Sequence, residues 1–134
     1  MENGLLLEET LVATLETVDG LAGRVCPIQD IQKSTGPLAV FEQQGEVEDN
    51  AIDGLTGLCS AEYRIHAMHG TYEKMRLLAE QIKKAIQALR QCSKDPLYIE
   101  EVLVTLASPD IYEDRVQLFR RTYKATIQYQ IKED

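Results

Sequence analysis

The sequence predicts an α+β protein built on an antiparallel β-sheet of about four to five strands. One long helix packs across a face of that sheet, and a second helix comes from the N-terminus. Three observations predict this fold. Residues 71–91 carry an apolar stripe with helical spacing, and segments of alternating apolar and polar residues lie on both sides of it. The resulting order of helix, strands, helix and strands is typical of α+β domains.

Chain length and composition favour one globular domain over residues 1–134. Hydrophobic residues make up 44% of the chain, an ordinary share that argues against disorder of the whole chain. No apolar run approaches the roughly 20 residues that a helix needs to span a bilayer. The N-terminus is acidic, unlike the basic start of a secretory signal. We therefore expect a soluble intracellular protein without a membrane partner.

The first predicted elements are a helix and a short extended segment. The helix covers residues 4–19 and ends at Gly20 and Gly23. Its apolar stripe consists of Leu7, Leu11, Val12, Leu15 and Val18. Residues 24–27 are extended, and Pro27 restricts them to an edge of the sheet because proline has no backbone N–H to donate.

Two strands are predicted before the long helix. Residues 38–44 form a short strand that is apolar on both sides at its start. Residues 59–68 form the next strand, with Glu62, Arg64 and His66 on its polar face. The apolar face of that strand consists of Ala61, Tyr63, Ile65 and Ala67.

The long helix is predicted over residues 71–91. The Thr71 hydroxyl can cap its first turn, basic residues gather toward its negative C-terminal end, and Pro96 closes the element. Its stripe consists of Tyr72, Met75, Leu78, Ala79, Ile82, Ala85, Ile86 and Leu89. Such a stripe requires a flat apolar surface, which the strands supply.

Two more strands are predicted after the long helix. Residues 97–106 form one of them, and residues 111–121 have a mixed pattern that predicts no element. Residues 122–132 are the clearest strand in the chain. The first strand has a face formed by Tyr98, Val102, Val104 and Leu106. The second has a face formed by Tyr123, Ala125, Ile127, Tyr129 and Ile131.

The segment 45–58 is predicted to be a loop between two antiparallel strands. It carries Glu46, Glu48, Asp49 and Asp53 together with three glycines. A hairpin needs only about two to five connecting residues, so the loop is longer than its geometry requires. A mobile excursion and a binding element are both compatible with the excess length, and the pattern favours binding.

The net charge of −8 is unevenly distributed. Residues 1–70 hold 12 acidic and 3 basic residues, a net charge of −9, whereas residues 71–134 hold 10 acidic and 11 basic residues, a net charge of +1. This balance argues against nucleic-acid binding, which draws its free energy from clustered Lys and Arg. The two halves could instead attract each other between copies, although most of the acids can also be explained as a solvated face.

No catalytic, metal or cofactor site is predicted. His66 and His69 are three residues apart, which on a strand places them on opposite faces and disfavours shared metal ligation. Cys59 lies on the opposite face from His66, so a Cys–His nucleophile is disfavoured as well. The loop acids do not fit a calcium-loop pattern, and no phosphate-binding glycine motif occurs. We therefore expect a protein that is not an enzyme and binds no cofactor.

The cysteines predict no disulfide framework. Cys26, Cys59 and Cys92 are an odd, widely spaced set without a C-x-x-C motif. In a chain without a secretory signal, such residues are expected to be reduced thiols that pack as small hydrophobic side chains.

Several segments, taken in succession, resemble the small tail-completion proteins of long-tailed bacteriophages and prophages. This family includes tail terminators and tail-to-head joining proteins. The likeness covers nearly the whole chain in order and spacing. The segments are GRVCP at 23–27, GPLAV at 36–40, DGLTGL at 53–58, TY at 71–72, DIYE at 110–113 and IQY at 127–129.

The resemblance implies a non-enzymatic structural protein of the virion tail or neck, made in the cytoplasm of the bacterial host. Such proteins form a homo-oligomeric ring, commonly a hexamer, on the head-proximal end of the tail tube. The implied partners are other copies of the chain, the tail tube protein and a head-completion or connector protein. The resemblance also implies that the segment 45–58 is loose in the monomer and orders against neighbours.

A ring with head-to-tail contacts brings different patches together, and the uneven charge suits that arrangement. We predict that Arg115, Arg120 and Arg121 of one copy meet the acidic loop of the next. The acidic partners are Glu46, Glu48, Asp49 and Asp53. A net-negative ring would also let DNA pass without holding it.

Two other classes of function stay open at this point. The first is a monomeric protein- or ligand-binding module that uses the free sheet face or the long loop. The second is a small hydrolase or transferase. Within the family resemblance, the sequence does not distinguish a terminator from a joining protein.

Overall fold

The computed structural model describes residues 2–27, 36–48, 58–94 and 96–131. Within these residues the chain forms two helices and seven strands. Their bounds are α1 Glu2–Glu16, β1 Val25–Pro27, β2 Leu38–Glu48, β3 Leu58–His69, α2 Tyr72–Gln87, β4 Ser93–Lys94, β5 Leu97–Leu106, β6 Ile111–Glu113 and β7 Leu118–Ile131. The predicted α+β class is confirmed.

The sheet is larger than predicted and is mixed. Its spatial order is β1-β2-β3-β7-β5-β4, and β6 pairs with the start of β7. All of these pairs are antiparallel except β1 with β2, which run parallel. The prediction of an antiparallel sheet with four to five strands is therefore wrong. Strands β4 and β6 have two and three residues, too few to show alternation, and the direction of β1 depends on its partner.

Helix α1 has the predicted apolar stripe. Leu7, Leu11 and Leu15 are fully buried in the main core. The helix ends at Glu16, and Gly20 follows with a φ of 87°. A Cβ atom at Gly20 would lie 3.3 Å from Cγ of Pro37, so both the backbone conformation and the close approach favour glycine there.

Helix α2 begins as predicted and ends earlier. The Thr71 hydroxyl accepts a hydrogen bond of 3.2 Å from the backbone N–H of Lys74. The helix ends at Gln87. The Ala88 amide still bonds four residues back to Lys84, whereas the amides of Leu89 and Arg90 bond three residues back, and Gln91 has a φ of 63°. The expectation of one long helix over 71–91 is therefore wrong, since α1 and α2 have 15 and 16 residues. Leu89 is buried all the same, which extends the apolar stripe past the helix.

None of the helices in the described part of the chain has the length and apolar character needed to cross a membrane.

Strand β5 contains a bulge that changes which side chains face the core. Its register with β7 shifts between Ile99 and Glu101. Leu97 and Ile99 are buried before the bulge and Val104 after it, whereas Tyr98 is exposed. The predicted shared face of Tyr98, Val102, Val104 and Leu106 is therefore wrong. A bulge inserts one residue and inverts the alternation beyond it.

The predicted loop 45–58 is shorter, because strands occupy both of its ends. Strand β2 continues to Glu48 and pairs with β3, and a bulge lies between Gln43 and Gly45. Strand β3 begins at Leu58. The remaining residues 49–57, with Asp49 and Asp53, lie outside the described residues, as do the side chains of residues 46–48.

The main core lies between the two helices and one face of the sheet. Strands β3 and β7 contribute their odd-numbered residues to it, as the alternation predicts. The opposite face, called the far face below, carries a second, smaller cluster. Its members are Leu38, Val40, Met68, Val116 and Leu118. Residues 114–117 turn between β6 and β7, and this turn brings Val116 against the far face.

Candidate interaction site

A pocket on the far face is lined by both polar and apolar side chains. Its volume is about 220 Å³. Even-numbered residues of β2, β3 and β7 and the turn between β6 and β7 form it. The residues that line this far-face pocket are Val40, His66, Met68, Glu113, Arg115, Val116 and Arg120.

A buried hydrogen-bonded triad lies beside the pocket. His66 is only 5% exposed, its Nδ1 lies 2.8 Å from Oγ1 of Thr122, and its Nε2 lies 3.1 Å from Oε1 of Glu42. Since a carboxylate only accepts, Nε2–H donates to Glu42 and Nδ1 accepts from the Thr122 hydroxyl. This assignment describes a neutral imidazole with both nitrogens satisfied.

The surroundings of His66 favour that neutral form. Burial lowers the pKa of His66, and the positive charges of Arg120 and Arg64 lower it further. The hydrogen bond to Glu42 and the charge of that carboxylate act in the opposite direction. The net direction is downward, so the imidazole holds its neighbours in place without adding a positive charge to the pocket.

Arg120 is only partly satisfied within the chain. One terminal nitrogen lies 3.4 Å from Oε2 of Glu113, and the side chain is 24% exposed. Its Nε is buried and has no acceptor among the described residues. A buried donor without an acceptor costs about 1–3 kcal/mol. Arg115 lines the same pocket and is exposed. The pocket therefore contains a guanidinium whose hydrogen-bonding capacity is not used up.

Arg121 lies on the helix face of the sheet, opposite Arg120. Its Nε and one terminal nitrogen donate to the two carboxylate oxygens of Asp110 at 2.8 and 2.9 Å. The Tyr72 hydroxyl donates to the same carboxylate at 3.2 Å. The hydrogen bonds from Arg121 hold the pKa of Asp110 below its usual range, although partial burial opposes them. An aromatic cluster of Tyr72, Phe119 and Tyr112 lies beside the pair.

The predicted site residues thus fall into four groups. Arg115 and Arg120 share the far-face pocket, whereas Arg121 faces the other way and is held by Asp110. The backbones of Glu46 and Glu48 lie in the last residues of β2. Asp49 and Asp53 lie outside the described residues. Whether the arginines meet the acids of another copy stays a prediction.

Within one chain, the acidic residues of β2 and the arginines of the pocket lie at opposite ends of strands β2 and β3. Glu48 pairs with Cys59, and Met68 pairs with Arg120. Nine positions of β3 separate Cys59 from Met68, a distance of about 30 Å at about 3.3 Å per residue. The backbone of Glu48 therefore lies far from the far-face pocket of its own copy.

Sequence reasoning missed the triad and the pairing of Glu113 with Arg120. It assigned His66 to the polar face of its strand, which is correct, and indicated no hydrogen-bond partner for it. The signal for the covering of that face lies in residues 111–121, whose mixed pattern predicted no element. In the structure, β6 and the start of β7 form a short hairpin there, and its turn covers part of the far face. His69 and Cys59 face the helix side, opposite His66, as predicted.

Within the described ranges no group of three or more His, Cys, Asp or Glu residues could hold a metal ion.

Comparisons with known proteins identify a likeness in fold. No family model matches the sequence, and a search of curated proteins found no match. Among solved structures, the chain is similar to a chain of one described as "Virion of native gene transfer agent (GTA) particle", with a TM-score of 0.67. The alignment has 8% identity and covers 90% of this chain and 91% of that chain. The similarity therefore extends over nearly the whole of both chains.

Proposed function

We propose that this protein is a structural component of a phage or phage-like particle. In this proposal it forms a ring at the head-proximal end of the tail tube, where it terminates the tail, joins it to the head, or does both. The observation that carries the proposal is the likeness in fold to a chain of a gene transfer agent virion over nine-tenths of both chains. The order of the sequence motifs supports the same class independently.

We also propose that the protein has no catalytic role and takes no cofactor. The polar groups of the far-face pocket support this. His66 is neutral and engaged at both nitrogens, Glu42 is bonded to it, and Glu113 is paired with Arg120. A general base needs a free lone pair directed at a substrate, and the Nδ1 of His66 is already used by Thr122.

The partners in this proposal are other copies of the chain, the tail tube protein and a head-completion or connector protein. A ring, hexameric in the resembling family, uses head-to-tail contacts in which one patch of a copy meets a different patch of the next. The acidic end of β2 and the cationic far-face pocket are two such patches at opposite ends of the sheet. Arg121 is engaged by Asp110, so the contact is assigned to Arg115 and Arg120 in preference to Arg121.

The alternative function is a monomeric protein- or ligand-binding module. The far-face pocket is the observation that favours it. Its volume of about 220 Å³ is below the roughly 300–1,000 Å³ of typical small-molecule sites, so a protein side chain is a better fit than a free ligand.

The experiment that tests the proposed function removes the gene from its prophage, induces the lysogen and images the lysate by electron microscopy. Full heads beside overlong, unattached tails would identify a terminator. Full heads beside unattached tails of normal length would identify a joining protein. A plasmid copy of the gene must restore particles in either case. Intact infectious particles without the gene would overturn the proposal and favour the binding module.

A further inference from the structure

We infer that the far-face pocket is a receptor for a glutamate side chain at the acidic end of β2 of a second copy. The inference rests on the proposed ring and adds the site, the chemical group that it takes and the segment that supplies it. Glu46 and Glu48 are the two residues of that segment.

The pocket has the two surfaces that a glutamate side chain requires. Arg115 is exposed and the side chain of Arg120 is 24% exposed, so both offer guanidinium donors to the pocket. An arginine–carboxylate contact is charge-assisted and often bidentate. The apolar part of the lining is suited to the two methylene groups of the glutamate stem. It consists of Val40, Met68 and Val116.

The charges around the pocket leave one positive charge in excess. His66 is neutral, because burial lowers its pKa. Among the residues that line the pocket, the cations are Arg115 and Arg120 and the anion is Glu113. A single carboxylate would neutralise the group. A phosphate chain would bring more negative charge than the group can balance, and a protein of net charge −8 repels polyanions.

The acidic end of β2 lies far from the pocket of the same copy. Glu48 lies beside Cys59 at the far end of β3, about 30 Å from the strand positions at the pocket. A second copy placed head to tail would bring its acidic end to the pocket. Each copy in a closed ring would then give one glutamate contact and receive another.

The test measures binding of a peptide to the intact protein by NMR. The probe is a peptide of residues 43–53, QQGEVEDNAID, titrated into ¹⁵N-labelled protein. We expect saturable shifts of the Arg120 Nε–H signal and of the Val40, Met68 and Val116 amides. A peptide with Glu46→Gln and Glu48→Gln is the matched probe, and it should bind at least about ten-fold more weakly, the effect of losing about 1.4 kcal/mol.

Variants of the protein locate the site. Arg120→Gln and, separately, the exposed Arg115→Gln should each weaken the peptide about ten-fold or more. Arg90→Gln is the control because Arg90 is an exposed arginine that is paired with Glu101 elsewhere on the surface; it should leave the affinity unchanged. A dispersed ¹⁵N spectrum establishes that each variant is folded.

Three outcomes would overturn the inference. They are equal binding of the acidic and the glutamine peptide, shifts that map away from the far face, and saturation by inorganic phosphate at lower concentration than by the peptide. The result is separable from the deletion experiment. If gene deletion abolishes intact particles but the peptide does not bind, the ring is retained and this pocket is rejected. If the peptide binds but particles stay intact after gene deletion, the pocket is retained and the ring is rejected.

Discussion

Two arginine–carboxylate pairs have nearly the same geometry and differ in exposure. Arg121 binds Asp110 through its Nε and a terminal nitrogen at 2.8 and 2.9 Å, and Arg90 binds Glu101 in the same way at 2.9 and 3.0 Å. The first pair is 15% and 17% exposed, the second 52% and 54%. Water screens an exposed pair and competes for its hydrogen bonds. Exposure therefore decides which pair contributes to stability.

We predict that Asp110→Asn lowers the free energy of unfolding at pH 7 by about 1–2 kcal/mol, because a charge-assisted and partly buried pair is lost. Glu101→Gln should produce no measurable change. Urea unfolding of both variants checks this. Since the pKa of Asp110 is lowered, its contribution is present above the carboxyl pKa of the unfolded chain and is lost as the pH falls through the folded value. Equal losses in the two variants would contradict the role of burial.

His66 also makes stability fall as the pH falls, because its pKa is lowered as well. Burial lowers its pKa, so the unfolded chain binds a proton more readily than the folded chain below the ordinary histidine pKa near 6.5. Stability should therefore be complete above that value and fall as the pH drops below it. We predict that His66→Gln flattens the slope of unfolding free energy against pH between about 7.5 and 5.5.

His69 is the control for this prediction. Its pKa is also lowered by burial, but His69 is not held by a buried hydrogen-bonded triad. His69→Gln should change the slope less than His66→Gln. Denaturant midpoints at four or five pH values give the comparison, and a larger effect of His69→Gln would contradict the assignment.

The secondary-structure elements differ in how well their patterns predicted them. Helix α2 has a stripe of five buried residues, and the alternation in β3 and β7 matches their buried faces. In β5 the bulge after Ile99 inverts the alternation. Strands β4 and β6 are too short to show an alternating pattern of apolar and polar residues. Periodicity therefore predicts long, regular elements and fails where pairing with another strand decides the geometry.

We predict that Ile82→Ala lowers the free energy of unfolding by about 2–5 kcal/mol, because it leaves a cavity where α2 packs on the sheet. Ile82 is fully buried in the main core. Leu77→Ala on the same helix is the matched control, since Leu77 is 67% exposed and its truncation should change stability by less than about 0.5 kcal/mol. Thermal and urea unfolding check both. A comparable loss at the two positions would contradict the orientation of α2.

The whole chain is organised around one sheet with helices on one side. Among the described residues, the buried members of the main core come from α1, α2, four strands and the turns after α1 and α2, from Leu7 to Tyr129. Such a core has no internal boundary at which part of the chain could fold alone. We predict a single calorimetric unfolding transition whose van't Hoff and calorimetric enthalpies agree. Two resolved transitions would contradict the prediction of one domain over residues 1–134.

The distribution of charge also belongs to the whole molecule. The acidic end of β2 and the cationic far-face pocket lie at opposite ends of the same two strands, β2 and β3. A chain with opposite charges at its two ends favours head-to-tail association of copies. The uneven charge of the sequence indicated this attraction, and the sheet register places the backbone of Glu48 at the opposite end of the two strands from the pocket.

The sequence by itself determined the α+β class, both helices and the faces of β3 and β7. These follow from local periodicity, in which burial of one face imposes a repeat on consecutive residues. Only the tertiary structure decided the parallel pairing of β1, the bulge in β5, the early end of α2, the separation of Arg120 from Arg121 and the burial of His66. Each depends on what packs against a segment from a distant part of the chain, and no local pattern carries that information.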